Sequence, residues 1–238
     1  FKLMMWMALI IVGVHLMPSN AIAQDADRYY PPAGCFGVLT TQNRGCVLNN
    51  IYKCEQDNPG ESWRVMFDRE GPTFFSKIDY QAQWLESYDP FSEEPDVLRL
   101  PAVDPANPTE LFNSGIDTFD FVQTSGQKMT RIVGFDQLTG TDVIIDGEQL
   151  LGTEYNVRYQ STVEQDLHVN GYEYVSVKHR RFFSGIATLT QGDDIEDRDH
   201  TPIKFIYPGE PGFFTKTPLY ECEASLAQYA PIQEGFNR

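Results

Sequence analysis

The 238-residue chain is poor in cations: 18 lysines and arginines face 34 aspartates and glutamates, a formal net charge of −16. Acidity of that size repels nucleic-acid phosphates and anionic lipid head groups, so no nucleic-acid partner is expected. Catalytic signatures are also missing. The sequence holds no Gly-x-Ser-x-Gly elbow, no Asp-Thr/Ser-Gly, no His-Glu-x-x-His and no phosphate-cradling Gly-x4-Gly-Lys. These absences argue against an enzyme and assign no catalytic residue. A hydrolase built on dispersed carboxylates stays open, because such pairs leave no local trace. No Cys-x2-4-Cys knuckle or His-x3-5-His pair is present, so neither a metal site nor any other cofactor is expected.

Long apolar runs are equally scarce. The one at the start, Leu3 to Met17, follows Lys2 and precedes Pro18 and the small-residue stretch Ala21-Ile22-Ala23. This pattern predicts a secretory signal peptide over residues 1–23, cleaved between Ala23 and Gln24. The run is shorter than the ~18 residues a membrane helix needs, and no later segment is apolar and long enough to span a bilayer as one. Residues 24–238 then form one domain of a size that buries its own core.

What is abundant is strand-forming sequence. Val47 to Glu55, Ser62 to Phe67 and Thr73 to Tyr80 read as strands, with turns at "DNPGE" and "REGP". A disulfide-bearing N-terminal part over 24–88 follows. Residues 89–110, "DPFSEEPDVLRLPAVDPANPTE", carry five prolines and read as an acidic loop, because proline disrupts helix interiors and central strands. Residues 111–222 carry the main antiparallel sheet, in "FDFVQT", "MTRIVGF", "TDVIID", "QLLGTEYNVRYQ", "YEYVSVKHRRFF", "GIATLTQ" and "IKFIY". In "TEYNVRYQ" Tyr155, Val157 and Tyr159 alternate with polar residues, as in a strand with one wet face. Asn170-Gly171 reads as a tight hairpin turn. Helical turns are expected only around Gln81 to Ser87 and in "EASLAQYA", within a C-terminal tail over 223–238. The expected fold is mainly β: one antiparallel meander forming a curled sheet or half-barrel.

Cys35, Cys46 and Cys54 fall within twenty residues, and Cys222 lies far downstream. Four cysteines in an exported chain predict two disulfides, and in each of the three possible pairings Cys222 joins the N-terminal cluster. If Cys46 to Cys54 is one extended strand, its ends lie about 26 Å apart, too far for a bridge, so the local bridge is expected to start from Cys35.

Three further stretches are candidates for contact. "KHRR", with Lys178, His179, Arg180 and Arg181, reads as a basic strand that would hold an anion or a partner protein, or else pair with neighbouring carboxylates. "GDDIEDRDH" (Gly192 to His200) holds five carboxylates but not the register of a calcium loop, and reads as a solvated hairpin tip, with His168 and His200 in surface turns. "YPGEPGFFTKTPLY" (Tyr207 to Tyr220) would either present Phe213 and Phe214 to a partner or fold them back over the sheet end.

The run "RIVGFDQLTGTDVIIDGEQLLGTEYNVRYQ", and the region from Phe119 to Tyr207 around it, resembles in strand-turn rhythm the half-barrel of the lipoprotein-localisation-factor group. The whole chain looks like an exported envelope protein of Gram-negative bacteria, periplasmic or extracellular. The resemblance implies a concave sheet face that holds a lipophilic small molecule, and it assigns no individual binding residue. The alternative is a protein-protein interaction module, docking an envelope protein through the basic strand or the aromatic loop.

Overall fold

The computed structural model describes residues 26–223. The leader with Ala23 and Gln24, and the stretch from Ala224 in which a helix was expected, lie outside the described residues. The described residues form thirteen strands: β1 (Cys35–Asn43), β2 (Val47–Cys54), β3 (Ser62–Phe67), β4 (Pro72–Ile78), β5 (Trp84–Tyr88), β6 (Asp96–Asp104), β7 (Ile116–Ser125), β8 (Lys128–Ile145), β9 (Glu148–Ser161), β10 (Leu167–Ser176), β11 (Arg181–Gln191), β12 (Asp194–Asp199) and β13 (Pro202–Ile206). One short helix, α1 (Pro108–Ser114), separates β6 from β7 among the described residues. The strands form one antiparallel meander in the order β12 through β1 and then β13, and the sheet does not close. The expected fold class is what the chain adopts.

The sheet curls until distant strands meet. Leu39 of β1 and Ile51 of β2 pack with Leu150 of β9, Phe183 of β11 and Phe205 of β13 in one buried cluster. The Phe205 amide donates to Asp146 Oδ2 at the tip of the β8–β9 hairpin (2.9 Å), which pins the β13 edge across the sheet. A second inward cluster joins Phe119, Phe121, Ile132 and Val157. On the outer face of β2 and β3, Leu48, Tyr52, Val65 and Phe67 are covered by Phe214, with Tyr29 and Phe213 packed against them. The aromatic loop therefore folds back, and Phe214 is 2 % exposed. It presents neither phenylalanine as a docking surface.

Glycines allow the curl. A Cβ on Gly171 would stand 2.0 Å from the Ile186 carbonyl oxygen, and one on Gly185 would stand 2.2 Å from that of Tyr172. Strands β10 and β11 slip register at this point, between Tyr172 and Tyr174. Asn170-Gly171 is thus not a turn but mid-strand, Asn170 pairing with Asn156 and Thr188. Glycine serves close backbone approach there rather than reversal. The tight hairpin lies instead at Asp146-Gly147, where both residues take positive φ (49° and 84°) between paired Ile145 and Glu148, as a two-residue type I′ loop requires.

Three other expectations are corrected. The proline-rich stretch 89–110 is not a loop throughout: it contains β6, which pairs with β5 and β7. Its prolines avoid the ladder. Pro101 falls in the unpaired gap between Arg99 and Asp104, and Pro108 opens α1 behind the Asn107 cap, where a missing N–H costs nothing. Gln81 to Ser87 is not helical, since β5 begins at Trp84. "KHRR" is not a strand: Lys178 to Arg180 form the β10–β11 turn, with Arg180 at φ 48°, and only Arg181 belongs to β11.

Both disulfides are formed. Cys35 bridges its cross-strand neighbour Cys54, and Cys46, in the β1–β2 turn, bridges Cys222, 176 residues away. The local bridge does start from Cys35. Two such bridges point to an oxidising, exported environment.

Candidate ligand-binding cavity

Inside the curl, the inward positions of β3 to β5 and β7 to β11 leave a partly enclosed cavity of about 240 Å³. Part of the lining is apolar: Trp84, Phe119, Phe121, Ile132, Val157 and Val169. Beside them, partly on the same strands, the cavity carries charge that an inward face normally lacks. Arg64 comes from β3, Asp136 from β8, Tyr155 and Tyr159 from β9, Glu173 from β10 and Arg181 from β11.

The carboxyls lie in a row set by the ladder. Asp136 pairs with Asp117 on β7, placing two acids directly opposite, and Glu173 reaches Asp136 from β10. Burial and the Asp117 charge push Asp136 up to about 7. Burial and Asp136 raise Glu173 well above the carboxylate range, and burial raises Asp117 to about 6. Asp136 and Glu173 lie close enough to act on each other's titration, and burial favours the neutral acid at both. The Asp117 carboxylate is steadied by the Asn107 amide, which donates to its Oδ2 (2.7 Å).

The guanidiniums are less well served. Arg181, 5 % exposed, donates from Nη2 to Ser62 Oγ (2.8 Å). Burial and the nearby Arg64 charge pull it down to about 9, still above neutral pH, so it remains a cation. Arg64 lies deep in the protein and keeps accessible surface because it faces the cavity. Its Nε is buried with no hydrogen-bond partner among the described residues. Its guanidinium carbon lies 5.7 Å from the Phe74 ring centroid. Glu173 is the nearest influence of opposite sign, but no carboxylate oxygen of the described residues comes within ion-pair distance of Arg64.

The basic cluster predicted as a contact splits. Lys178 Nζ donates to Glu148 Oε1 (2.6 Å) and to the Tyr207 hydroxyl (2.9 Å), while His179 Nε2 lies 3.1 Å from that hydroxyl. Arg180 donates to the Tyr80 carbonyl (2.9 Å) and Thr109 Oγ1 (2.6 Å), and its guanidinium stacks 4.1 Å above the Tyr80 ring. Lys178 and His179 meet the Glu148 carboxylate of neighbouring β9, whereas Arg180 binds no carboxylate of the described residues and ties the turn to the β4–β5 connection and α1. Arg181 alone points inward. The acidic stretch 192–200 forms the β11–β12 tip and the edge strand β12, whose Glu196 pairs with Arg198 (2.6 Å), and no metal-binding cluster exists among the described residues. His168 lies in β10 rather than a turn, 2.9 Å from Asn156 Oδ1, and His200 is enclosed after β12, where burial lowers its affinity for a proton.

No protein family, curated protein or solved structure compared with this chain matches it.

Sequence reasoning missed Arg64, Asp136 and Glu173, though the signal for two of them is present. In "MTRIVGFD" and "VNGYEYV" the inward parity runs Thr130, Ile132, Gly134, Asp136 and Val169, Gly171, Glu173, Val175, so each acid occupies a core position. Arg64 left no such trace. Val65 and Phe67, of the opposite parity, are themselves buried, because both faces of β3 are covered.

Proposed function

We propose that this chain is a non-enzymatic exported envelope protein that binds and carries a small lipophilic molecule inside its curled sheet. The observation that supports the reading is the partly enclosed 240 Å³ cavity lined by both apolar and charged side chains. Small-molecule sites combine this kind of apolar lining with a few converging polar groups. At ~30 Å³ per water, the volume equals about eight waters, which suits a ligand of roughly ten heavy atoms rather than a whole membrane lipid. This is the role implied by the half-barrel resemblance, scaled down. The exported environment that the disulfides indicate suits a periplasmic or extracellular carrier.

Native mass spectrometry of protein purified from its own host tests the proposal. A reproducible small adduct, lost on denaturation, is expected, and repeated apo spectra from gently handled preparations would overturn it. The Asp136 and Glu173 pair supports a second reading, a hydrolase acting through carboxyls in the same cavity. A hydrolytic activity abolished by both Asp136→Asn and Glu173→Gln would replace the carrier reading.

A further inference from the structure

We infer that the ligand is a small amphipathic anion whose acidic head accepts hydrogen bonds from the Arg64 guanidinium, with its apolar body against Phe119, Phe121 and Val157. The inference rests on the carrier reading and adds the chemistry of the head group.

Arg64 is the ground for it. A guanidinium has five donors, and a buried cation without acceptors is among the costliest groups a fold can hold. Among the described residues Arg64 makes no ion pair and leaves Nε unsatisfied, while the side chain faces open cavity. The protein has not lacked the means to pair it, since carboxylates outnumber cations almost two to one. Glu173, the carboxyl that acts most strongly on Arg64, does not reach ion-pair distance of it and instead lies against Asp136, with burial favouring the protonated form of both. Arg181 adds a second cation to the same cavity, anchored through Nη2 to Ser62. Two guanidiniums therefore line a cavity in which burial favours the neutral form of the carboxyls beside them, within an otherwise acidic molecule. A carboxylate or phosphate monoester head would accept from Arg64 in the bidentate geometry that arginine favours. The apolar part of the lining then takes a body of a size that excludes nucleotides and whole phospholipids.

Calorimetric titration of ligand-stripped protein at pH 7 tests this with octanoate, octyl phosphate and 1-octanol, which share one chain and differ in the head. At least one anion is expected to bind about tenfold or more tightly than the alcohol, in line with a charge-assisted hydrogen bond in a low-dielectric site. Which anion wins identifies the head group. Arg64→Met should remove most of that preference and leave octanol affinity within about threefold, while Arg64→Lys, retaining the charge without the fork, should fall between. Circular dichroism confirms folding of each variant, and if Arg64→Met fails to fold, the wild-type selectivity and Arg64→Lys decide. Equal binding of alcohol and anions, or anion binding unchanged in Arg64→Met, would overturn the inference and leave the carrier reading standing. Failure of all three probes to bind wild type would overturn both.

Discussion

Replacing Cys46 and Cys222 together with alanine removes the bridge that ties the β1–β2 turn to the end of the described chain. A bridge acts chiefly on the unfolded state, where it forbids conformations in proportion to the logarithm of the loop it closes. The Cys46–Cys222 loop spans 176 residues, which gives about 5 kcal/mol at 25 °C, whereas the 19-residue Cys35–Cys54 loop gives about 3 kcal/mol. The native state adds to the difference. Near Cys222 the chain docks through the Cys46 amide on the Tyr220 carbonyl (2.9 Å) and through the exposed Arg44–Glu221 pair, which contributes little. Freed there, the segment carrying Phe213 and Phe214 holds the outer aromatic cluster less firmly. Equilibrium urea unfolding followed by intrinsic fluorescence, extrapolated linearly to water, measures both double variants against wild type. The Cys46→Ala/Cys222→Ala variant is expected to lose about 2 kcal/mol more than Cys35→Ala/Cys54→Ala. An equal or smaller loss would refute the view that this bridge constrains the whole chain.

Three other outcomes are expected. Arg64→Met should raise the stability of ligand-free protein by about 1–4 kcal/mol, the usual gain when a poorly paired buried charge becomes apolar; a lower urea midpoint would show that Arg64 is satisfied in the apo state. Asp136 ionises near 4 in the unfolded chain and near 7 in the folded one, so between these values the unfolded state binds fewer protons and stability falls as pH rises. Acidification from pH 7 to pH 5 should therefore stabilise wild type relative to Asp136→Asn by about 1–3 kcal/mol. Parallel pH profiles of the two proteins would count against the raised proton affinity of Asp136; the groups facing it are Asp117, Glu173, Tyr155 and Tyr159, with Arg64 beside Glu173. Gly171→Ala should cost about 1–3 kcal/mol or more, since its methyl would collide with the Ile186 carbonyl of an adjoining strand. Near-wild-type thermal stability of that variant would mean that β10 and β11 do not approach as closely as described.

Much of this architecture was legible in the alternation of side chains. β3 falls on its predicted residues, and β9 shows the wet and dry faces read from "TEYNVRYQ". Local turn chemistry misled where tertiary contact took the glycine for another purpose: Asn170-Gly171 has the better turn sequence by eye, yet the reversal occurs at Asp146-Gly147. Proline content misled in the same way. It excludes a fully paired strand, but β6 is paired only at its ends and accommodates Pro101 in between. Cysteine spacing ruled the local bridge towards Cys35 but left its partner open, because that depends on the register in which β1 pairs β2. The charged lining was hidden for a different reason. Alternation sorts residues into two faces without saying which becomes concave, so an acid on a core face is visible only once Leu39, Leu150 and Phe183 are known to converge.

The carrier role requires that ligand sit in the interior of the curled sheet. Nuclear Overhauser contacts between isotope-labelled protein and unlabelled octanoate report this directly, methyl by methyl. Contacts from Ile132, Val157 and Val169, which line the cavity, are predicted. Contacts confined to exposed Leu100, Val103 and Ile144 on the outside would contradict it.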